Sequence, residues 1–235
     1  RLMKIIRYNS SKSIIVEFQD EYKTKLECRY DQFKKGTLVS PYDKTVLNIG
    51  YIGEGKYNHK DYPLIWGYWN DLICRNYNPY FINKHLTYKD CFIEDDLLCF
   101  QNFAKWFEEN YYECNGEQMC IDKDILIKGN KIYSPNTCVF TPQNINKLFT
   151  KSNRTRGELP IGVYKVNGYD NKYASHFNSC GKLVNLGTFN TIEGAFNAYK
   201  EAKEKEIKRV ADEYKGKIPQ KLYDAMYRYQ VEITD

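Results

Sequence analysis

The sequence predicts an α+β protein in three segments. These are a small β-rich unit over residues 1–57, a mixed unit over 58–151, and over 152–235 a three-stranded sheet packed on one helix with a C-terminal helical extension. Three observations carry this prediction. Short strand-like runs, Ile161 to Val166 alternating apolar and polar residues, occur within the first 57 residues and again over 161–186, as half-buried strands require. Apolar residues at three- and four-residue spacing dominate two middle stretches and one long C-terminal stretch, as amphipathic helices require. The polar, basic run Lys151-Ser152-Asn153-Arg154-Thr155-Arg156-Gly157 has linker composition.

In chain order, Ser13 to Phe18 and Thr24 to Tyr30 read as strands with Asp20-Glu21 as their turn, and Gln32 to Gly36 ends the pair. Asn48 to Gly53 reads as a further strand, broken by Gly53-Glu54-Gly55, so this unit is expected to be small and barrel-like. Its glycines are not a phosphate loop, since neither a lysine–serine pair nor a helix start follows them. Lys34 and Lys35 read as residues of an exposed turn. Trp66, Trp69, Leu72 and Ile73 have helical spacing before the Arg75-Asn76-Tyr77-Asn78-Pro79 break. Lys84 to Asp96 reads as a loop with a short strand through Cys91-Phe92-Ile93, and Phe100 to Tyr111 as a helix.

The C-terminal segment is the most informative. Ile161 to Val166, Lys172 to Phe177 and Leu183 to Leu186 are strand-like, with turns at Asn167-Gly168, Asp170-Asn171 and Cys180-Gly181-Lys182. Gly187 ends the last strand and Thr191 is placed to cap a helix. Along that helix Ile192, Ala195, Phe196, Tyr199 and Ala202 form the apolar stripe, with Lys200, Glu201, Lys203, Glu204 and Lys205 opposite. Ile207, Val210, Ala211 and Tyr214 continue it. Gly216 and Pro219 punctuate, and Pro219 opens a shorter helix to Tyr229 that caps the fold, a dimer contact being the alternative. One sheet face receives the helix, which leaves the other face free.

Composition bounds the function. Lys and Arg number 35 against 30 Asp and Glu, a net charge of +5, so any binding of an acidic partner depends on local clustering rather than a global field. A hydrophobic content of 42% supports packed cores and excludes a disordered chain. Neither a membrane-length apolar run nor a basic-then-apolar leader is read, and 8 cysteines without regular spacing fit free thiols in a reducing cytoplasm. Zinc is weakly supported, with 3 histidines and no close ligand pair.

The residues Ile161-Gly162-Val163-Tyr164, Lys172-Tyr173-Ala174 and Leu186-Gly187-Thr188-Phe189, followed by Thr191, Ala195, Ala198 and Tyr199, resemble the AP2/ERF DNA-binding domain, including its phage and mobile-element relatives. The resemblance implies a sheet that lies in a double-stranded DNA groove. It places Tyr164, Lys165, Lys172, Tyr173, His176, Asn178 and Asn185 at strand positions, with Lys182 in a turn between strands and Arg154 and Arg156 just before the sheet. The arginines typical of the plant domains are missing, so the bases read are not implied. Lysines and arginines here suit phosphate contact. Asn178 and Asn185 suit either adenine edges or turns and strand ends.

The stretch MCIDKDILIKGNKIYSPNTCVFTPQNINKLF resembles an HNH-type nuclease motif, a β-hairpin plus helix that grips one metal ion. The resemblance rests on Asp122-Lys123-Asp124, the Gly129-Asn130 turn, Asn136, Asn144 and Asn146. It implies Mg²⁺ on Asp122 and Asp124 if the site is active. Such a nuclease needs a histidine base, yet Lys123 stands between the two aspartates and no histidine lies between His85 and His176. A lysine flanked by carboxylates is a poor base, so the motif reads as degenerate and without a cofactor. The sequence therefore points to a cytoplasmic, nucleoid-associated protein that binds double-stranded DNA through the AP2-like sheet, with the HNH-like part as second contact. An HNH endonuclease or nickase, with Asp122, Lys123, Asp124, Asn136 and Asn146 as its site, is one alternative. A phage regulator that binds a host protein, to which a tyrosine-rich surface is suited, is the other.

Overall fold

The computed structural model describes residues 2–150, 158–179 and 181–235. The expected linker, Arg154 and Arg156 among it, lies outside the described residues, as does Cys180. The architecture is α+β, with several small sheets and helices. The chain divides into two compact units, one of Arg1–Glu109 with Lys131–Pro135, the other of Asn110–Asn130 with Asn136–Asp235. Each unit is assembled from two discontinuous pieces of chain.

In the first unit, β1 (Met3–Ser10), β2 (Ser13–Phe18) and β3 (Lys25–Cys28) form an antiparallel sheet in the order β1-β2-β3. Alternate residues Ile14, Val16 and Phe18 of β2 are fully buried, as the two-residue period demands. Ile14, Val16 and Cys28 pack with Leu26, Phe33 and Leu38. Three expectations are corrected here. The sheet is an open meander with β1 at its edge, so the unit is not barrel-like. The end of the predicted pair is a helix, α1 (Tyr30–Lys35), closed by Gly36 in the left-handed conformation. Asn48 to Gly53 is not a strand: Leu47 and Asn48 both take positive φ, which folds the chain into a tight turn with single bridges at Val46–Gly50 and Tyr51–Cys99.

The helical part of this unit follows the sequence closely. α2 (Pro63–Tyr77) buries Ile65, Trp69, Leu72, Ile73 and Asn76, and α5 (Phe100–Asn110) buries Phe100, Phe103, Ala104 and Phe107. The Trp69 indole N–H donates to the Leu97 carbonyl at 2.9 Å, and its ring centroid sits 5.2 Å from that of Phe100. Between them lie α3 (Pro79–Lys84), capped by the Asn78 side chain, the short strand β4 (Phe92–Ile93) and the one-turn helix α4 (Asp95–Leu98). Buried Gln101 is satisfied by backbone: its amide donates to the Tyr57 carbonyl at 2.8 Å and accepts the Tyr57 N–H at 3.1 Å.

In the second unit β5 (Met119–Asp122) pairs antiparallel with β7 (Val139–Pro142), which leads into α6 (Gln143–Leu148). The predicted hairpin needs correction. The chain leaving the Gly129-Asn130 turn forms β6 (Ile132–Tyr133), which pairs in parallel with β4 rather than with β5. The hairpin partner of β5 is supplied further along the chain, by β7.

The C-terminal sheet matches its prediction. β8 (Val163–Lys165), β9 (Tyr173–Ser179) and β10 (Lys182–Phe189) form an antiparallel sheet in the order β10-β9-β8. α7 (Ile192–Glu213) runs unbroken, its first turn capped by the Thr191 hydroxyl, which accepts the Gly194 N–H at 3.0 Å. Ala195, Phe196 and Tyr199 pack with Val163 and Val231, and with Tyr173, Phe177, Leu186 and Phe189 of the sheet. Full burial of a side chain such as Phe196 contributes roughly 2–3 kcal/mol. α8 (Gln220–Arg228) follows Pro219. Beyond it the tail is clamped: Lys200 donates to the Val231 carbonyl at 2.6 Å and Glu204 accepts the Val231 N–H at 2.8 Å. The tail thus caps this core.

Gly162 has φ +77°, and a Cβ there would lie 1.9 Å from Tyr199 Cδ2. Gly162→Ala is expected to lower stability in urea denaturation by at least ~2 kcal/mol, combining left-handed strain with the ring clash. Thr191→Ala, which removes only the cap, is expected to cost about 1 kcal/mol in the same assay.

Candidate nucleic-acid interface

Strand register decides which side chains share a face. Tyr164, Ala174 and Thr188 stand opposite one another, as do His176 with Asn185 and Asn178 with Leu183. These residues form the row pointing away from α7, because their neighbours Val163, Tyr173, Phe177 and Phe189 pack towards it. A bulge between Asn185 and Gly187 inserts Leu186, which turns into the core while Asn185 keeps its outward position. The outward row is open to solvent, Tyr164 being 47% and Leu183 70% exposed. None of the three strands contains an aspartate or glutamate.

Within this row the Tyr164 and His176 rings stack, centroids 4.0 Å apart and nearly parallel at 2°. Lys172 begins the same row and holds its Nζ 4.7 Å above the Tyr169 ring. The two asparagines are oriented by backbone. Asn178 Oδ1 accepts the Gly181 N–H at 2.8 Å and Asn185 Oδ1 accepts the Gly187 N–H at 2.9 Å. Each carboxamide oxygen therefore serves a turn or bulge, and an amide with only its NH₂ left to give suits single acceptors better than the two-bond grip on adenine.

Three of the expected contact residues lie elsewhere. Tyr173 faces α7 and packs on its core, because it sits one residue out of phase with the open row. Lys165 pairs with Tyr173, and Lys182 with Ser179, so both belong by register to the helix side. Both are exposed and flank the open face rather than line it.

One carboxylate behind the sheet is tied up internally. Glu206, expected neither as buried nor as a partner, accepts the Ser179 hydroxyl at 2.5 Å and two bonds from Arg209 at 2.7 and 2.8 Å. Arg209 and the Ser179 bond hold its carboxyl below the ordinary carboxylate range against the opposing effect of burial. Arg209 also pairs with Glu213.

A cleft of about 860 Å³ opens where α6, the β8–β9 edge and α7 meet, with Tyr164, His176 and Asn178 in its wall. The sequence reading missed Lys147, Tyr199 and Lys203 in this wall, having put Lys203 on the solvent side of the helix. The available signal was spacing: Lys203 follows Tyr199 by four residues and so shares its face.

The acidic pair has a different arrangement. Asp122 Oδ1 accepts the Asp124 N–H at 2.9 Å and the Ile125 N–H at 2.7 Å, closing the turn after β5. Lys123 is buried with its Nζ 3.5 Å from Asp124, and Asn130 donates to the Lys123 carbonyl at 2.7 Å. The Asn136 and Asn146 side chains form no hydrogen bond with either aspartate; Asn136 is exposed and Asn146 lies on α6. Among the described residues no group of three or more His, Cys, Asp or Glu side chains is placed to hold a metal ion. Nor is any helix there long and apolar enough to cross a membrane. No protein-family model, curated protein or solved structure matches the chain.

Burial, followed by the charge of Asp124, pushes the Asp122 carboxyl up from 3.8 to about 6, against the two backbone N–H bonds. A raised carboxyl stabilises the fold fully below its unfolded value, and that stability is lost as pH rises through the folded value. Denaturation midpoints are therefore expected to fall between pH 3.8 and about 6. Asp122→Asn keeps the turn acceptor and is expected to flatten that decline and leave the pH 7 protein as stable or more so.

Proposed function

We propose that this chain is a double-stranded DNA-binding protein whose β8–β10 sheet presents its open face to the groove. One observation carries the reading: the face turned away from α7 is solvent-open, free of acidic side chains and edged by Lys165, Lys172 and Lys182. A duplex repels carboxylates and attracts ammonium groups through its phosphates, so an acid-free face with a lysine rim suits it. The rim supplies affinity, while Tyr164, His176, Asn178 and Asn185 supply groups able to touch base edges. The β5–β7–α6 segment serves as a second contact through Lys147, which reaches the cleft beside the sheet. The Asp122 carboxylate closes its own turn, so this reading gives it neither Mg²⁺ nor catalysis.

Fluorescence anisotropy with a labelled duplex of about 20 base pairs, at salt concentrations from 50 to 300 mM, roughly the range over which counterion release dominates, tests the proposal. Affinity is expected to fall linearly on log–log axes, and Lys165→Gln, Lys172→Gln and Lys182→Gln each to reduce the slope by about one. Binding with no salt slope, or a triple variant indistinguishable from the parent, would overturn the reading in favour of a protein partner.

A further inference from the structure

We propose that the cleft beside the sheet takes one unpaired nucleotide of the bound DNA, its base laid on the Tyr164–His176 ring pair and its phosphate held by Lys203 and Lys147. This rests on the sheet being a DNA surface and extends that surface around the β8 edge. The cleft shares Tyr164, His176 and Asn178 with the open face, so a strand leaving the groove at that edge enters it without a break in contact. β8 spans only Val163–Lys165 and pairs with Tyr173–Ser175, and the Gly162 carbonyl just before it accepts the His176 N–H at 3.1 Å, so β8 leaves the β9 edge beyond His176 uncovered.

The chemistry of the wall favours a nucleotide over a purely apolar ligand. Two parallel rings at 4.0 Å form a platform that a third aromatic plane extends, and bases stack on such platforms regardless of sequence. Asn178 has its oxygen committed to Gly181, which leaves its NH₂ as a donor for the acceptors that every base or phosphate carries. Lys203 has neither a hydrogen bond nor an ion pair among the described residues. Its neighbour Glu206 is already bound by Ser179 and Arg209, and Glu213 by Arg209. Burial lowers the Lys203 pKa, so an anion arriving there finds an amine with little water to give up. At about 860 Å³ the cleft is large enough for a nucleotide and its hydration.

The test compares a blunt duplex with the same duplex carrying a three-nucleotide single-stranded overhang with 2-aminopurine as its first unpaired base. The overhang is expected to bind about tenfold more tightly than the blunt end, with quenching of the 2-aminopurine fluorescence on stacking. Lys203→Gln is expected to abolish the gain and leave blunt-duplex affinity within about twofold, with an unchanged thermal melt as the folding control; Lys147→Gln is expected to reduce the gain. Equal affinity for both DNAs, or no quenching in the complex, overturns the cleft assignment while the sheet reading stands. Binding of neither DNA overturns both.

Discussion

The contact between the Tyr199 ring and the backbone of Gly162 sets the geometry of the C-terminal unit. With no side chain at Gly162, the ring lies directly on the start of β8, and the first half of α7 is drawn against one face of the sheet. Phase then does the rest. Once Val163, Tyr173, Phe177 and Phe189 are committed to the helix, the intervening positions face away from it. Tyr164, His176, Asn178 and Asn185 are outward for the same reason that Phe196 is inward.

The electrostatics reinforce this division. A chain with a net charge of only +5 has no strong field of its own. The helix side of the unit gathers carboxylates and matches them locally: Glu206 and Glu213 with Arg209, Glu204 with Lys200, and Asp212 with the hydroxyls of Tyr223 and Tyr227. The strands contribute lysines and amides but no acid. These carboxylates are thus matched within the helical side of the unit, and the strands add none.

Asp122 illustrates how a motif and its setting separate. The spacing of two aspartates around Lys123 invites a metal-binding reading, since hard cations are held by carboxylate oxygens. In the fold the first carboxylate caps a turn with two backbone N–H bonds and the lysine lies against the second. A buried acid with that task has a raised proton affinity through burial and a like neighbour, whether or not it has any chemistry to perform.

Much of the architecture was legible in the residues. The α+β class, the three C-terminal strands, the Thr191 cap, the stripe through Ala195, Phe196 and Tyr199, and the helices around Trp69 and Phe103 all follow from local periodicity and capping chemistry, which neighbouring residues determine by themselves. What they could not reveal depends on partners distant in the chain. The parallel pairing of β6 with β4, the antiparallel return of β7 to β5, the turn at Leu47-Asn48 and the inward position of Tyr173 were all decided by packing. Lys203 is the sharpest case, a charged residue on an otherwise charged stretch of helix that lies in a cleft because Tyr199, one turn earlier, faces the sheet. Local sequence selects helix or strand and the spacing of its faces. Which face meets which neighbour is settled only when the elements exclude water together, since that energy belongs to the assembled surfaces and to no single segment.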